Sequence, residues 1–425
     1  MNPTQAPVIP QVGPDLLSPL PQELMQNITK FLSASDNCNL RLVSKAVEKH
    51  THVYFTENCY YAVHTDLSLK SLESLLEVAK VHTIAANMKL LDIEAHSLSF
   101  GQGFNWPPRS SGMMAFGHQD HPCVPLLETI IEKLGNCQSF RVNNICSAAD
   151  HSNWMVPRSA DASVAIEVLF DVICHLRRPT KSLSLEYGRC MVFPVCAAPT
   201  LNPGPFFVHP VIFQPFQDAW RTLETLALRG TMSSRTLTEN ANLIFEATNL
   251  RELVLDFRCS AGTPDAATAM MNRMRQLPLA GRMPPILKLD ILGGETTDSD
   301  FLHFLSLFGT SLRSLRLVDC VSILGTASNW WDVFDNMATH LPLLETISID
   351  HLTIPRAPGY IRVFEYPGLY EEPVIPGTNG DRCEIYEPSP GYYPDESRVS
   401  YTGPNMGKFL QALSNGAIVS LVFNH

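Results

Sequence analysis

Three stretches of this chain place leucine at positions i, i+3 and i+5: Leu223/Leu226/Leu228, Leu250/Leu253/Leu255 and Leu312/Leu315/Leu317. The last two leucines of each triplet are two apart, so in an extended segment they share one face and the residues between them take the other. Looser triplets use other apolar residues: Met88/Leu91/Ile93, Cys137/Phe140/Val142, Thr180/Leu183/Leu185, Ile286/Leu289/Ile291, Leu344/Ile347/Ile349 and Ile418/Leu421/Phe423. Several follow an apolar stretch of helical spacing, such as Ile166 to Ile173 before Leu183, or Phe301 to Phe308 before Leu312. A helix that feeds a short strand, repeated, buries its apolar face by stacking on its neighbours, which predicts an α/β solenoid. A fourth strict triplet, Leu302/Leu305/Leu307, falls in a segment of helical pattern and shows that the motif alone is not decisive.

The triplets resemble the core of leucine-rich repeats. Residues 61–425 are therefore expected to form an irregular array of that kind, with a compact α/β sheet domain as the competing architecture. At 425 residues the chain is long for one compact core, which agrees with an elongated array. Two segments break the pattern. One runs from Gly101 to Pro125 and carries Trp106-Pro107-Pro108; the other, from Pro355 to Pro404, is rich in Pro, Gly, Tyr and acidic residues. The second is too long for an ordinary loop and is expected as an insertion at about 355–404, before the final repeat. Its Tyr360, Tyr366, Tyr370, Tyr386, Tyr392 and Tyr393 can anchor a partner; the plainer expectation is a loop covering the last strands.

Ahead of the array stands a short helical module. Leu20, Leu24 and Ile28 recur at helical spacing, with Phe31 and Leu32 closing the stripe. Pro21 suits the first helical position, and Glu23 complements the helix dipole. Ser35 or Asp36 is expected to cap a second helix through Asn39 to Lys45, and a third runs to about Phe55. Three short helices make a small core that gains from a partner covering its apolar face.

Leu20-Pro21-x-Glu23-Leu24, Ile28, Phe31-Leu32, Asp36 and Leu40-Arg41-Leu42-Val43-Ser44-Lys45, in that order and spacing, resemble the F-box motif. The stretch through Tyr54-Phe55 and the helix from Ser68 to Ala79 also resemble the start of many fungal F-box proteins. Where many F-boxes carry Trp or another aromatic after the Ser-Lys, this chain has Ala46-Val47, which implies less area buried on the partner. The resemblance implies an F-box at 18–60, preceded by a disordered N-terminus at 1–17. It further implies docking on the Skp adaptor of an SCF (Skp–cullin–F-box) E3 ubiquitin ligase, and through it on the cullin–RING assembly. The adaptor-binding residues would be Leu20, Pro21, Leu24, Ile28, Leu32, Leu40, Leu42 and Val43. The rival expectation is a repeat-protein scaffold without a link to ubiquitin, in which these helices only cap the array. Exposure separates the two: a cap buries Leu24, Ile28 and Val43, whereas a docking module leaves the stripe open.

Charge and cysteine usage narrow the partners. The formal net charge of −11 opposes a phosphate backbone, and no Lys/Arg-rich face overrides it, so neither nucleic acid nor an anionic membrane is expected as a partner. The 11 cysteines are odd in number and hold no CxxC pair, which fits buried free thiols in a reducing compartment. Met1 to Leu17 lack the pattern of a signal peptide, and no run is long and apolar enough to span a bilayer. A cytoplasmic or nuclear protein is expected.

The motifs of chemistry fail one by one. His118-Gln119-Asp120-His121-x-Cys123 offers zinc-type atoms without the paired spacing of a zinc site, so no metal is expected. Gly101-Gln102-Gly103 leads to Trp106 where a dinucleotide loop needs a third glycine. Neither a GxSxG elbow nor a Walker-type loop occurs. No cofactor and no enzymatic activity are expected. A target protein would lie on the residues between the repeat leucines, where Arg229, Asp256, Lys288 and Arg316 are the candidate substrate-binding side chains. The Arg229/Arg316 pair is suited to an acidic or phosphorylated segment.

Overall fold

The computed structural model describes residues 16–94, 122–144, 162–187, 210–229, 237–258, 266–276, 283–322, 330–350, 352–355, 360–365, 382–386, 398–416 and 418–423. It opens with three helices, α1 (Gln22–Thr29), α2 (Ala34–Arg41) and α3 (Lys45–Cys59). Ser33, rather than Ser35 or Asp36, caps α2. Its Oγ accepts from the Asp36 N–H at 3.1 Å and donates to Asp36 Oδ2 at 2.7 Å, which leaves Ser35 and Asp36 inside the first turn. Ser44 caps α3 in the same way, accepting from the Val47 N–H at 3.2 Å. The end of α1 is satisfied by Asn37, whose Nδ2 donates to the carbonyls of Thr29, Leu32 and Ser33 at 3.2, 3.3 and 3.2 Å. The core inside the module is small: Met25, Val47, Thr29, Thr51 and Thr56 are buried. Val47 thus faces the module's own interior, so the missing aromatic reduces that core rather than the outer stripe.

Strands and helices then alternate. The first units are β1 (Ala62–Thr65), α4 (Leu69–Ala79), α5 (His82–Ala85), β2 (Leu90–Glu94), α6 (Cys123–Lys133) and β3 (Ser139–Asn144). The chain continues with α7 (Ala162–His175), β4 (Ser182–Tyr187), α8 (Pro210–Trp220), β5 (Thr225–Arg229), α9 (Leu237–Glu246) and β6 (Glu252–Asp256). Next come α10 (Ala266–Gln276), β7 (Lys288–Leu292), β8 (Glu295–Thr296), α11 (Asp298–Ser306), β9 (Ser314–Val318) and β10 (Val321–Ser322). The last group is α12 (Trp330–His340), β11 (Thr346–Asp350), β12 (Thr353–Pro355), β13 (Tyr360–Glu365), β14 (Arg382–Tyr386), β15 (Arg398–Thr402), α13 (Met406–Gly416) and β16 (Ile418–Phe423). Among the described residues the main sheet has eleven strands, ordered β1 to β7, β9, β11, β15, β14. All neighbours through β11 are parallel, and β15 and β14 close the end antiparallel. The observed architecture is thus N-terminal helices followed by a mostly parallel α/β sheet.

The triplets explain the register. Leu91, Phe140, Leu183, Leu226, Leu253, Leu289, Leu315 and Ile347 are laterally paired in one row. Ile93, Val142, Leu185, Leu228, Leu255, Ile291, Leu317 and Ile349 form the next, and both rows are buried. Each such side chain is worth about 1.5–3 kcal/mol in burial, and a one-residue slip would turn a whole strand over. Two triplets behave differently. Leu302/Leu305/Leu307 belongs to α11 and the turn after it. Ile418/Leu421/Phe423 lies in β16, which pairs antiparallel with β13 in a second sheet, ordered β16, β13, β12, β10, β8. Within the stretch from Pro355 to Pro404, β15 continues the buried rows with Tyr401 and Val399. Tyr401 stacks on Phe409 at 4.6 Å between ring centroids. Tyr360 and Tyr386 fall in β13 and β14; Tyr366, Tyr370, Tyr392 and Tyr393 lie outside the described residues, as do 1–15 and 95–121. The turn from β7 to β8 needs glycine: Gly294 has φ +95°, and a Cβ there would stand 2.6 Å from that of Ala267.

Among the described residues no helix is long and apolar enough to cross a membrane. Cys123, Cys137, Cys174 and Cys320 are buried, whereas Cys38 is exposed. Burial pushes the thiols of Cys123 and Cys320 up to about 12 and that of Cys137 to about 11, and raises Cys174 as well. The thiolate is the reactive form. Iodoacetamide on the native chain should therefore modify Cys38 and spare these four until denaturant is added, as read by peptide mass mapping.

Candidate functional site: an open apolar stripe and a charged sheet face

The first candidate surface is carried by α1 and the turn between α2 and α3. Leu24 is 50% exposed, Ile28 38% and Val43 58%, and Phe31 and Leu42 stand out further at 89% and 84%. Pro21 is exposed, while Leu20, Leu32 and Leu40 are half-buried at its border. The helix phase explains the division: Met25, one position from Leu24, turns inward and is wholly buried. Leu42 and Val43 protrude because α2 stops at Arg41 and Ser44 already caps α3. The turn is braced by the Arg41 guanidinium, 3.9 Å from the centre of the Phe55 ring and 3.3 Å from the Glu48 carboxylate. Ser18 Oγ meets Ser44 Oγ at 2.6 Å, which ties the leading segment to the same turn. Phe31 was not among the candidate docking residues, although its place three after Ile28 puts it on the same stripe.

The second candidate surface is the main-sheet face opposite the buried rows. One of its rows runs His64, Asp92, Arg141, Ser184, Ala227, Val254, Asp290, Arg316, Ser348, Ser400. At its beginning the buried Asp92 accepts from Arg141 and lies 3.1 Å from His64 Nδ1. Further on, the four candidate substrate residues occupy β5, β6, β7 and β9. Asp256 is held by Arg258, through Nε at 2.9 Å and Nη2 at 2.6 Å, so its charge is matched within its own strand end. Lys288 and Arg316 have a different acid beside them, the buried Asp290, whereas Arg229 lies laterally opposite Asp256 and acts on Asp290 from two strands away. Burial raises the Asp290 carboxyl above its ordinary range; Lys288, Arg316 and Arg229 act against this, and Glu252 adds to it. Each arginine of the pair therefore has a carboxylate beside it, and the two do not form an isolated clamp.

The sign of the Asp290 shift makes a prediction. A carboxyl raised on folding lowers native stability at neutral pH; the loss is relieved as pH falls through the raised value and is gone below the unfolded value. Asp290→Asn should have a higher urea midpoint than the natural chain at pH 7, and the gap should narrow at pH 4.5. An equal or lower midpoint at pH 7 would contradict the assignment.

Of the remaining candidates, His118 to His121 lie outside the described residues, and Cys123 is buried at the start of α6. Among the described residues no cluster of three His, Cys, Asp or Glu is placed to hold a metal ion.

Residues 17–49 match the family model for the F-box domain. A search of curated proteins found no match to the chain. The matched segment begins before α1, contains α1 and α2, and ends within α3, so it covers the open apolar stripe. The chain thus carries an F-box domain, the module that in general binds the Skp adaptor of SCF ubiquitin ligases.

Proposed function

We propose that this chain is a substrate-recognition adaptor of an SCF-type E3 ubiquitin ligase. Leu20, Pro21, Leu24, Ile28, Leu32, Leu40, Leu42 and Val43, joined by Phe31, cover the Skp adaptor and so reach the cullin–RING assembly. The charged sheet face, with Arg229, Asp256, Lys288 and Arg316, holds a target protein. The chain performs no chemistry in this reading. It keeps the target beside a conjugating enzyme that transfers ubiquitin. The parallel array is read as leucine-rich-repeat-like, and the protein as cytoplasmic or nuclear.

The observation that carries the proposal is the exposure of the stripe within the matched F-box segment. A contiguous apolar patch on an otherwise polar surface is costly unless a partner covers it. A helical cap would have turned Leu24, Ile28 and Val43 toward the array, yet each is more than a third open. The test is capture of the full chain by purified Skp adaptor, beside a Leu20→Ala/Pro21→Ala double variant. Capture that the variant loses supports the adaptor reading. A folded natural chain that is not captured would leave the cap-and-scaffold reading in its place.

A further inference from the structure

The connection between α2 and α3 consists of Leu42, Val43 and Ser44, so two of its three residues belong to the open apolar stripe. Its own backbone bonds are short-range: the Leu42 and Val43 N–H groups donate to the carbonyls of Asn39 and Leu40, both at 3.1 Å. Arg41, the last residue of α2, bridges the turn from outside, its Nη2 donating to Glu48 in the first turn of α3 at 3.3 Å. An ion pair with one exposed partner holds little. The Arg41 side chain, however, is only 15% exposed, and its Nη1 is buried without a hydrogen-bond partner. Burying part of a cation in this way is costly unless another attraction offsets it. The ring of Phe55 supplies that attraction, because the guanidinium carbon lies 3.9 Å from its centre, well within cation–π range.

Phe55 is itself supported by the array. Tyr60 meets its ring edge-on, at 5.6 Å between centroids and 87° between planes, and Tyr60 packs against the hydrophobic core of the array. A contiguous line of contacts therefore runs from that core through Tyr60, Phe55 and Arg41 to the turn that carries Leu42 and Val43. Both aromatic residues lie beyond the segment 17–49 that matches the F-box model, so part of the support for its outermost apolar residues comes from outside it.

We propose that Arg41, Phe55 and Tyr60 are positioning residues for the Skp contact. They hold Leu42 and Val43 in the docking arrangement before the partner arrives, which removes an ordering cost from binding. Adaptor affinity thereby depends on side chains of α3 and of the array boundary as well as on the stripe itself. This deepens the adaptor reading and rests on it for the identity of the partner. A line of contacts is a coupling only where its members respond together, and a double-mutant cycle measures that response.

The test titrates full-chain variants with purified Skp adaptor, each well below its melting temperature. Arg41→Met and Phe55→Leu should each weaken binding about tenfold, and the double variant also about tenfold instead of about a hundredfold. Tyr60→Leu should weaken it about threefold, acting through Phe55. Phe55→Tyr keeps the ring and should bind as the natural chain does. A merely structural role would lower melting temperatures and leave the affinity of the folded chain unchanged. The state of the turn is read without Skp by hydrogen exchange: the Leu42 and Val43 amides should exchange faster in Arg41→Met and in Phe55→Leu, with the amides of α1 as reference. Unchanged affinity in Arg41→Met, additive losses in the double variant, or turn amides that keep their natural rate in both single variants would overturn the proposal. Should Phe55→Leu fail to fold, Arg41→Met decides alone. A natural chain that does not bind Skp removes the adaptor reading, and exchange at the turn then still decides whether the three residues hold it. Binding by the natural chain with a turn that does not respond removes only the positioning role.

Discussion

Leu42→Glu in the full chain is expected to weaken capture by the Skp adaptor at least 100-fold while leaving the melting temperature of the chain unchanged. Leu42 is almost fully open and belongs to the turn after α2, so a carboxylate there costs the free protein nothing in packing. In a docked state the same carboxylate would be taken out of water against an apolar surface. The cost of such a transfer is several kcal/mol, and about 3 kcal/mol already corresponds to the stated factor. Met25→Ala supplies the contrast, because Met25 is wholly buried in the three-helix module. That variant should lose capture and melt the module together, whereas Leu42→Glu separates the two. Isothermal titration beside thermal unfolding reads both quantities. Undiminished affinity for Leu42→Glu would place the Skp contact elsewhere or remove it.

Trp220→Ala should be among the most destabilising single changes in the array, at about 3–5 kcal/mol. Its ring stacks on Phe216 at 5.1 Å between centroids and lies 5.5 Å from Phe170, and its Nε1 donates to the Leu243 carbonyl at 2.7 Å. It thereby joins three successive helices, α7, α8 and α9. Removal leaves a large cavity and an unpaired carbonyl in the same place. In a structure of neighbour-to-neighbour contacts such damage is felt at one junction. Hydrogen exchange should accelerate first in β4, β5 and their helices, with β9 and β11 less affected. Uniform acceleration along the whole sheet would show that the array unfolds as one unit.

The rows of the main sheet were legible because burial on a strand imposes a period of two, and the leading residue of each triplet, from Met88 to Leu344, is also buried. What composition could not convey was the direction of pairing. Ile418/Leu421/Phe423 has the same apolar spacing as a repeat strand, but β16 pairs antiparallel in the smaller sheet. Tyr401 escaped notice for a similar reason, since its segment is Pro-rich and returns to β11 from far along the chain. The F-box segment was legible from residue order, while its caps were not: Ser33, Ser35 and Asp36 are all good capping residues, and only backbone geometry distinguishes them. On the charged face Arg229, Lys288 and Arg316 could be placed by position alone. That Arg316 lies beside Asp290 and Arg229 beside Asp256 depends on lateral register, which no single strand contains.

The antiparallel strand β15 has a consequence for synthesis of the chain. Strands up to β11 can join the sheet in the order they leave the ribosome, each pairing with its predecessor. The side of β11 away from β9 is matched only when Arg398–Thr402 has been made and has returned to it. Until then Ile347 and Ile349 lie on a strand with open hydrogen-bonding groups, a template for pairing with another nascent chain. Products that stop after β11 but short of residue 398 should therefore accumulate as aggregates or be degraded, even though they contain both the F-box segment and the whole of the parallel array.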